Sequence, residues 1–260
     1  MKLLQDRVAL VTGAGRGIGR AIALAFAAEG AKLALTARTV SELDDLVATI
    51  RSTGGTARAL PADLADRAVP GRLVADVEKS LGPIEILVNN AGIGSSAGPS
   101  PVAQFSDEFW EQTLMVNLTA PYLLSKAVLP GMFAKKWGRI IMIASINGKI
   151  GALHGAAYAA SKHGLLGFTR TLAMEVASQG ITVNAICPGP VHTVMNDLRV
   201  EYDAKRRGVA FDEQATGLTP IGRRLEPEEI APLAVYLASN AAAAVVGQAL
   251  NIDGGVLMTG

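Results

Sequence analysis

The chain has little cysteine, histidine or net charge and few aromatic residues, and each shortage excludes a class of protein. Its 260 residues include one cysteine, Cys187, and three histidines, which rules out an internal disulfide and a cysteine-rich metal site. The formal net charge is +1, and the basic residues occur in short pairs rather than in a stripe. We therefore expect no metal site and no nucleic-acid partner.

Long hydrophobic runs are also missing. No uncharged apolar stretch reaches the length that crosses a membrane, and residues 1–7 lack the apolar segment of a signal peptide. A single cysteine suits a reducing compartment. We expect a cytoplasmic protein with no membrane partner.

Small and apolar residues are abundant, and they are arranged as strands that alternate with helices. Strands are predicted over residues 8–12, 32–36, 56–60, 84–88, 139–144, 181–186 and 248–252. A helix is predicted from the first glycine-rich turn to about residue 29, and others over 41–51, 68–80, 107–117, 120–134, 158–178 and 227–238. The alternation predicts a single α/β domain over residues 1–260, a doubly wound parallel sheet of about seven strands with helices on both faces.

A glycine-rich turn follows the first predicted strand. Ile18 and Arg20 occupy the third-glycine positions of the general G-x-G-x-x-G fingerprint, so that pattern does not fit, whereas T-G-x-x-x-G-x-G fits from Thr12 to Gly19. Such a turn opens a helix whose N-terminal N–H groups attract a pyrophosphate. A turn without function is the alternative, but the strand before it and the helix after it favour a Rossmann-like dinucleotide site. Its expected contacts are Gly13, Arg16, Gly17, Ile18 and Gly19.

The end of the second predicted strand indicates which dinucleotide binds. A carboxylate there would hold the ribose 2′-hydroxyl of NAD, but the chain reads Ala37-Arg38. A guanidinium suits a 2′-phosphate, and Arg16 in the glycine turn could reach the same region. We therefore predict NADP(H) as the cofactor, with NAD(H) disfavoured. The alternative is that Arg38 merely begins a solvated helix.

Tyr158 and Lys162 lie four residues apart in a predicted helix, so both side chains project from the same face. A cation beside a phenol favours the phenolate, and we expect Lys162 to lower the pKa of Tyr158. A tyrosine with a lowered pKa could exchange a proton near neutral pH. Taken alone, an exposed tyrosine beside a solvated lysine is the commoner explanation.

Several further motifs accompany this pair, in order along nearly the whole chain. They are Thr12 to Gly19, Asp63-Leu64, Asn89 to Gly92, Asn117, Ser145, Tyr158 with Lys162, and Pro188-Gly189. In this combination the chain resembles the short-chain dehydrogenase/reductase family. Within the family it is most similar to the 3-oxoacyl-[acyl-carrier-protein] reductase and polyketide ketoreductase branch, for example over residues 181–184 and 220–223.

The resemblance implies a catalytic role for four residues. Tyr158 would give a proton to a carbonyl oxygen, and Ser145 would hydrogen-bond the same oxygen. Lys162 would lower the Tyr158 pKa and hold the nicotinamide ribose, and Asn117 would position a water that links Lys162 to solvent. Further cofactor contacts are implied for Asp63, Leu64, Asn89, Asn90, Ala91, Gly92, Tyr158, Pro188, Gly189, Val191 and Thr193.

The expected function is NADPH-dependent reduction of a ketone, such as a 3-oxoacyl thioester. Residues 190–219 are predicted to form a lid with one helix. Position alone suggests a substrate pocket lined by Ser145, Asn147, Leu153, His154 and Met195. One alternative is an NAD(P)-dependent alcohol dehydrogenase that oxidises a hydroxy acid, cyclic alcohol or sugar. Another is a non-enzymatic nucleotide sensor, which the intact set of Ser145, Tyr158 and Lys162 disfavours.

The resemblance also implies partners. Family members are mostly homotetramers or homodimers, and the apolar residues Leu165, Phe168, Leu172 and Val176, like the apolar segment 254–258, could belong to an interface or to the core. An acyl carrier protein could dock on Lys135, Lys136 and Arg139. Gln179 stands where that branch often carries arginine, which argues against such docking.

Overall fold

The chain folds around seven parallel strands. The structure is a computed structural model that describes residues 2–258. The strands are β1 (Val8–Thr12), β2 (Lys32–Thr36), β3 (Thr56–Ala59), β4 (Ile86–Asn89), β5 (Gly138–Ile143), β6 (Ile181–Pro188) and β7 (Ala249–Ile252). They form one sheet in the order β3-β2-β1-β4-β5-β6-β7. Strands covered on both faces need apolar residues at every position, and β1 is buried throughout.

Helices cover both faces of the sheet. Within the described residues they are α1 (Gly17–Ala28), α2 (Val40–Ser52), α3 (Val69–Leu81), α4 (Asp107–Leu114), α5 (Ala120–Lys135), α6 (Ala156–Val176), α7 (Val194–Arg207), α8 (Phe211–Thr216) and α9 (Pro227–Ala238). Helices α1, α2 and α9 pack on one face, and α3, α5 and α6 on the other. This confirms the predicted doubly wound, Rossmann-like α/β fold. None of the helices in residues 2–258 combines the length and hydrophobicity needed to cross a membrane.

Two predictions about helices need correction. The separate helices predicted over 107–117 and 120–134 are one continuous stretch, because a π-helical turn, Met115–Thr119, joins α4 to α5. The segment 190–219 contains two helices rather than one. Thr193 begins α7 by accepting a hydrogen bond from the Asn196 amide at 3.2 Å, and Gly208 ends it with a φ of +69°.

The strand order reverses between β1 and β4, and Thr12 holds that junction together. Its hydroxyl donates to the Val88 carbonyl at 3.2 Å and accepts from the amides of Asn90 and Ala91 at 2.9 and 3.0 Å. Ligands of doubly wound sheets bind at such a reversal, beyond the carboxyl ends of the strands. The topology therefore predicts a ligand site beyond the carboxyl ends of β1 and β4.

At the other end of the sheet, where the strands begin, lies an ion-pair cluster centred on Glu85, which is buried. Its carboxylate accepts from Arg7 Nη1 at 2.5 Å and from the Val8 amide at 3.2 Å, and Lys135 Nζ lies 3.1 Å away. Burial acts to raise the pKa of Glu85, but these donors outweigh burial and hold the pKa below its ordinary value. The cluster fastens the start of β1 to the end of α5.

We expect Glu85→Gln to lower the free energy of unfolding by about 1–3 kcal/mol at neutral pH, because Arg7, Lys135 and the Val8 amide lose a charged acceptor that is itself buried. Since the folded pKa of Glu85 is depressed, its contribution is present above the ordinary carboxyl pKa and is lost as the pH falls through the folded value. Urea denaturation of both proteins from neutral to acid pH measures this. Asp66→Asn, which alters the exposed pair with Arg72, should change stability little. Equal stability of Glu85→Gln and wild type at neutral pH would contradict this role.

Candidate active site

A cleft of about 1090 Å³ opens at the carboxyl ends of the strands. It crosses the junction of β1 and β4, where the topology predicts a ligand. One end is lined by the glycine turn before α1 and by residues that follow β2 and β3. The other end is lined by residues that follow β5, by the first turns of α6 and by α7.

The glycine turn presents bare backbone to the cleft. Gly13 and Gly17 have φ values of +63° and +54°, which glycine adopts without strain. A Cβ on Gly13 would lie 2.8 Å from Ala91 Cα, and a Cβ on Gly19 would overlap the Gly13 carbonyl. Gly19 therefore serves the packing of α1 against the strand ends rather than the lining of the cleft. The predicted residues that do line it here are Gly13, Arg16, Gly17 and Ile18.

Asn90 supports the turn from behind. Its Nδ2 donates to the carbonyls of Thr12 and Gly13 at 2.8 and 3.1 Å. The side chain therefore fixes the turn to the end of β4. Asn90, Ala91 and Gly92, all predicted cofactor contacts, line the cleft.

Asn89 differs from that expectation. It is the last residue of β4, and its side chain is buried against the sheet instead of lining the cleft. Its Nδ2 lies 3.5 Å from Ser125 Oγ and 3.3 Å from Met142 Sδ. The side chain points to the face of the sheet that α5 covers, since Ser125 belongs to that helix, and so it is directed away from the cleft. It packs behind the site.

Two arginines and a glutamate occupy the rim beyond the glycine turn. Arg38 is exposed and makes no salt bridge within the part of the chain that the structure describes. Arg16 Nη1 lies 3.7 Å from Glu42 Oε1. Asp63 and Leu64 line the cleft close by, as expected. Sequence reasoning missed Glu42, although its place in the first turn of the helix after β2 could have drawn attention to it.

Ser145, Tyr158 and Lys162 meet at the other end of the cleft. β5 ends at Ile143 and brings Ser145 to the sheet edge, while one turn of α6 carries both Tyr158 and Lys162. Ser145 Oγ accepts a hydrogen bond from the Asn147 amide at 3.1 Å, which orients the hydroxyl. Pro188, the last residue of β6, lines the same region, as do Gly189, Val191 and Thr193, which follow it.

The expected lowering of the Tyr158 pKa is wrong for this structure. Burial raises the pKa of Tyr158 above its ordinary value, and hydrogen bonding with Ser145 offsets this only in part. Lys162 does not reverse the effect, because its Nζ lies 5.7 Å from the ring centroid and donates to the Ile143 carbonyl at 2.8 Å. The phenol is therefore held protonated at neutral pH, which suits a proton donor.

Lys162 is itself buried, with 5% of its surface exposed. Burial lowers the pKa of its ammonium to about 8. At pH 7 the group is still mostly charged, and the Ile143 carbonyl is its one hydrogen-bond acceptor among residues 2–258. Nowhere in that range do three or more His, Cys, Asp or Glu side chains come close enough together to hold a metal ion.

Asn117 lies in the π-helical turn and is buried behind the cleft. Its Oδ1 accepts from the Ile93 amide at 2.8 Å, and its Nδ2 donates to the Ile93 carbonyl at 2.9 Å and to Ser161 Oγ at 3.1 Å. The side chain therefore fastens the loop after β4 to α6, which carries Lys162. Sequence reasoning missed Ile93 because its role uses only backbone atoms. The water contact expected of Asn117 stays a prediction.

The predicted substrate residues fall into two groups. Asn147, Leu153 and Met195 line the cleft beside Ser145. His154 does not line it, because a φ of +58° turns this residue toward α7, where its Nδ1 lies 2.7 Å from Tyr202 Oη. His154 therefore belongs to the contact between loop and lid helix.

Arg199 makes a second contact between α7 and the loops beneath it. Its Nη2 donates to the Leu153 carbonyl at 2.9 Å, its Nη1 lies 3.4 Å from Ser95 Oγ, and its Nε donates to Asp203 at 2.7 Å. Both charged side chains are largely buried, at 19% and 14% exposure. The sequence did not single out Arg199 because it lies in a run of alternating charges.

Two of the three cations suggested for carrier-protein docking, Lys135 and Arg139, bind other groups of this chain. Lys135 pairs with Glu85. Arg139 is 3% exposed, and its Nε donates to the Ser239 carbonyl at 3.2 Å. It lies at the amino end of β5, the sheet edge opposite to the cleft. Lys135 and Arg139 therefore cannot form the expected docking surface beside the site.

The residues left open between core and interface lie mostly inside this chain. Leu165, Leu172 and Val176 are buried in its own core. Phe168 packs edge-on against Tyr122, with ring centroids 5.9 Å apart. In the apolar C-terminal segment, the Leu257 amide donates to Asp253, and Val256 lines the cleft. These contacts need no second subunit.

The fold and the cleft are those of a dinucleotide-dependent oxidoreductase. The sequence profile described as short chain dehydrogenase matches residues 7–203, and the chain belongs to this family. The family resemblance noted from the motifs is thereby confirmed.

Individual relatives point the same way. A protein of Streptomyces violaceoruber, provisionally named ketoacyl reductase 1 of the granaticin polyketide synthase, is 44% identical over 254 residues, which cover 96% of this chain and 92% of that protein. The 3-oxoacyl-[acyl-carrier-protein] reductase of Pseudomonas aeruginosa is 40% identical, with 98% and 99% covered. Among solved structures, a variant of actinorhodin polyketide ketoreductase with NADPH has a TM-score of 0.91 at 40% identity, with 96% and 97% covered.

The buried ammonium predicts a pH-dependent stability. The pKa of Lys162 is about 8 in the folded protein and 10.5, its ordinary value, in the unfolded chain. The unfolded chain therefore binds the proton more tightly. The stability that the neutral side chain allows is fully present above pH 10.5 and is lost as the pH falls through about 8. We expect wild type to gain about 2 kcal/mol relative to Lys162→Met between about pH 7.5 and pH 9.5. Urea denaturation at both pH values measures it.

Lys205→Met is the matched control, since Lys205 is exposed on α7. The difference in unfolding free energy between wild type and this variant should not change over the same interval. If Lys162→Met behaved in the same way, the ammonium would have to be solvated, and the arrangement of Tyr158, Lys162 and the Ile143 carbonyl would be wrong.

Proposed function

We propose that the protein is an NADPH-dependent reductase that converts a ketone to an alcohol. The observation that carries the proposal is the meeting of Ser145, Tyr158 and Lys162 at one end of a cleft that has a nucleotide-binding glycine turn at its other end. The similarity to ketoacyl reductases of other organisms supports the same reaction. The two ends serve different parts of the chemistry.

The residues near the glycine turn fit a 2′-phosphorylated dinucleotide. Gly13 and Gly17 leave bare backbone at the N-terminus of α1, which suits a pyrophosphate. Arg16 and Arg38 supply cations at the rim, and Ala37 stands where NAD would require a carboxylate. We therefore assign the cofactor as NADP(H) rather than NAD(H), and the related ketoreductase solved with NADPH supports this. The proposed contacts continue through Ile18, Asp63, Leu64, Asn90, Ala91, Gly92, Pro188, Gly189, Val191 and Thr193.

When bound, NADPH supplies the hydride that reaches the carbonyl carbon. Tyr158 donates its phenolic proton to the carbonyl oxygen, and the Ser145 hydroxyl donates a hydrogen bond to the same oxygen as negative charge develops there. The raised pKa of Tyr158 keeps the proton in place until the transfer. The Lys162 ammonium, 5.7 Å from the ring centroid, then attracts the phenolate that the transfer leaves, although it does not bring the Tyr158 pKa below its ordinary value. Asn117 acts as a positioning residue for the helix that carries this lysine.

We propose a 3-oxoacyl thioester or a similar ketone as the substrate. The cleft beside Ser145 combines the polar side chain of Asn147 with the apolar side chains of Leu153, Met195 and Leu198, which suits a carbonyl attached to an apolar chain. The reverse reaction, oxidation of an alcohol, would use the same groups in opposite roles. A screen of NADPH oxidation with ketones and of NADP⁺ reduction with alcohols separates the two directions.

Residues 190–219 form the proposed lid. Within it, α7 is fastened by Arg199 to the Leu153 carbonyl and to Ser95, and by Tyr202 to His154. The base of the helix is held by Arg224, whose Nη1 lies 2.5 Å from Asp197. These contacts set the width of the cleft over Ser145 and Tyr158, and so determine which ketones enter.

Three further sequence predictions stay predictions. The homotetramer or homodimer has support from family membership, and size-exclusion chromatography with light scattering tests it. The cytoplasmic location has support from sequence composition. A carrier-protein partner has little support, because Lys135 pairs with Glu85 and Arg139 is bound to the Ser239 carbonyl.

We expect Tyr158→Phe to abolish turnover, with a loss of about 100-fold or more, because the ring stays and the proton is gone. NADPH affinity should be nearly unchanged, since the phenol serves the carbonyl. Steady-state NADPH oxidation with an acetoacetyl thioester measures turnover, and fluorescence titration measures NADPH binding.

Tyr236→Phe provides the matched control, because Tyr236 is 40% exposed on α9, away from the cleft. It should retain wild-type turnover. Unchanged turnover in Tyr158→Phe would remove Tyr158 from the mechanism, and failure of the wild type to bind NADPH would remove the proposed cofactor.

The contacts of Arg199 that hold α7 over the cleft give a separate prediction. Arg199→Lys cannot serve the Leu153 carbonyl, Ser95 and Asp203 together, so α7 should sit less firmly over the cleft. We expect the KM for the ketone to rise about fivefold with a smaller change in kcat and no change in NADPH affinity. Lys205→Arg on the exposed side of α7 is the control. A fall in kcat at unchanged KM would show that Arg199 acts on the chemistry instead.

A further inference from the structure

Glu42 lies against the glycine turn, at the rim that would hold a 2′-phosphate. A Cβ on Gly15 would be only 2.5 Å from Glu42 Oε2 and 2.9 Å from Glu42 Cβ, so the carboxylate lies over the turn itself. Its other oxygen lies 3.7 Å from Arg16 Nη1. Glu42 and Arg16 both line the cleft, together with Arg38.

The position of Glu42 follows from the local structure. It lies in the first turn of α2, where the helix dipole favours a negative charge. Its side chain is 32% exposed, although Arg16 is 65% exposed. For comparison, Asp45 on the same helix pairs with Arg20 at 2.9 Å, lies outside the cleft and is 69% exposed. Glu42 is therefore turned inward, toward the nucleotide site.

We infer that Glu42 competes with the cofactor 2′-phosphate for Arg16 and so limits the preference for NADPH over NADH. The inference rests on the proposed use of NADPH. A 2′-phosphate carries nearly two negative charges at neutral pH and would have to displace or repel the carboxylate to reach the guanidinium. NADH lacks this phosphate and does not compete for Arg16, and any repulsion between Glu42 and the pyrophosphate is common to both dinucleotides and cancels in their ratio.

The competition also gives Glu42 a role before the cofactor arrives. An unpaired arginine at an exposed rim samples many rotamers, and ordering it costs free energy when a ligand binds. The Glu42 carboxylate, 3.7 Å from Arg16 Nη1, attracts the guanidinium toward the glycine turn, but the exposed pair is too long for a hydrogen bond and contributes little. Its main expected effect is therefore the competition with the 2′-phosphate.

The test measures binding of NADPH and NADH to the full-length protein by isothermal titration calorimetry. We expect Glu42→Gln to tighten NADPH binding about three- to tenfold while NADH changes less than about twofold, the size of one or two charge interactions at a partly exposed site. Asp45→Asn removes the same charge from the same helix outside the cleft, and should leave the ratio of the two dissociation constants unchanged. Thermal melts of each variant check folding.

A double-mutant comparison tests the route of the effect. If Glu42 competes for Arg16, the gain from Glu42→Gln should fall by at least half in an Arg16→Ala background. A full gain in that background would overturn competition for Arg16, and an unchanged or reduced NADPH preference in Glu42→Gln alone would overturn the inference altogether. Wild type that binds NADH more tightly than NADPH would instead contradict the proposed cofactor, and it is seen before any variant is measured.

Discussion

The site depends on one hydroxyl, that of Thr12, at the point where the strand order reverses. It donates one hydrogen bond and accepts two, so a single small side chain ties the end of β1 to the end of β4 and to the loop beyond it. Asn90 returns the connection by binding the carbonyls of Thr12 and Gly13. Together these hydrogen bonds hold the glycine turn and the loop after β4 in one fixed arrangement, which forms the floor of the cleft.

At the catalytic end of the cleft, the free-energy cost of burying the Lys162 ammonium has to be offset by other contacts. Lys162 is buried with one carbonyl acceptor, and Tyr158 lies beside it with a raised pKa. A buried ammonium costs stability unless it is paired, so this part of the fold is held in place by other contacts, among them the amide of Asn117 and the core beneath α6. The protein accepts a destabilising group where the chemistry requires one, as is typical of active sites.

The sequence alone supported the fold and the identity of the site, but not the internal roles of its residues. The bounds predicted for β1, β2 and α9 agree with the structure, because β1 ends just before Gly13, Gly30 separates β2 from the helix before it, and α9 begins at Pro227. Asn89 and His154 were misplaced, since strand alternation at Asn89 and a left-handed backbone at His154 decide where each side chain points. The shift predicted for the Tyr158 pKa had the wrong direction. Burial raises this pKa, and a four-residue spacing does not reveal burial. The expected opposing cation, Lys162, is bound to the Ile143 carbonyl instead.

Because of the π-helical turn at Met115–Thr119, the number of residues between α4 and α5 matters for the active site. Such a turn holds one more residue than an α-helical turn, and each residue of an α-helix rotates its successors by about 100°. Deleting a single residue between α4 and α5 would restore an ordinary helix and swing either Asn117 or the whole of α5 out of register with Ile93 and Ser161. An insertion or deletion there would shift this register, so the length of the stretch is constrained in addition to the identity of Asn117 within it.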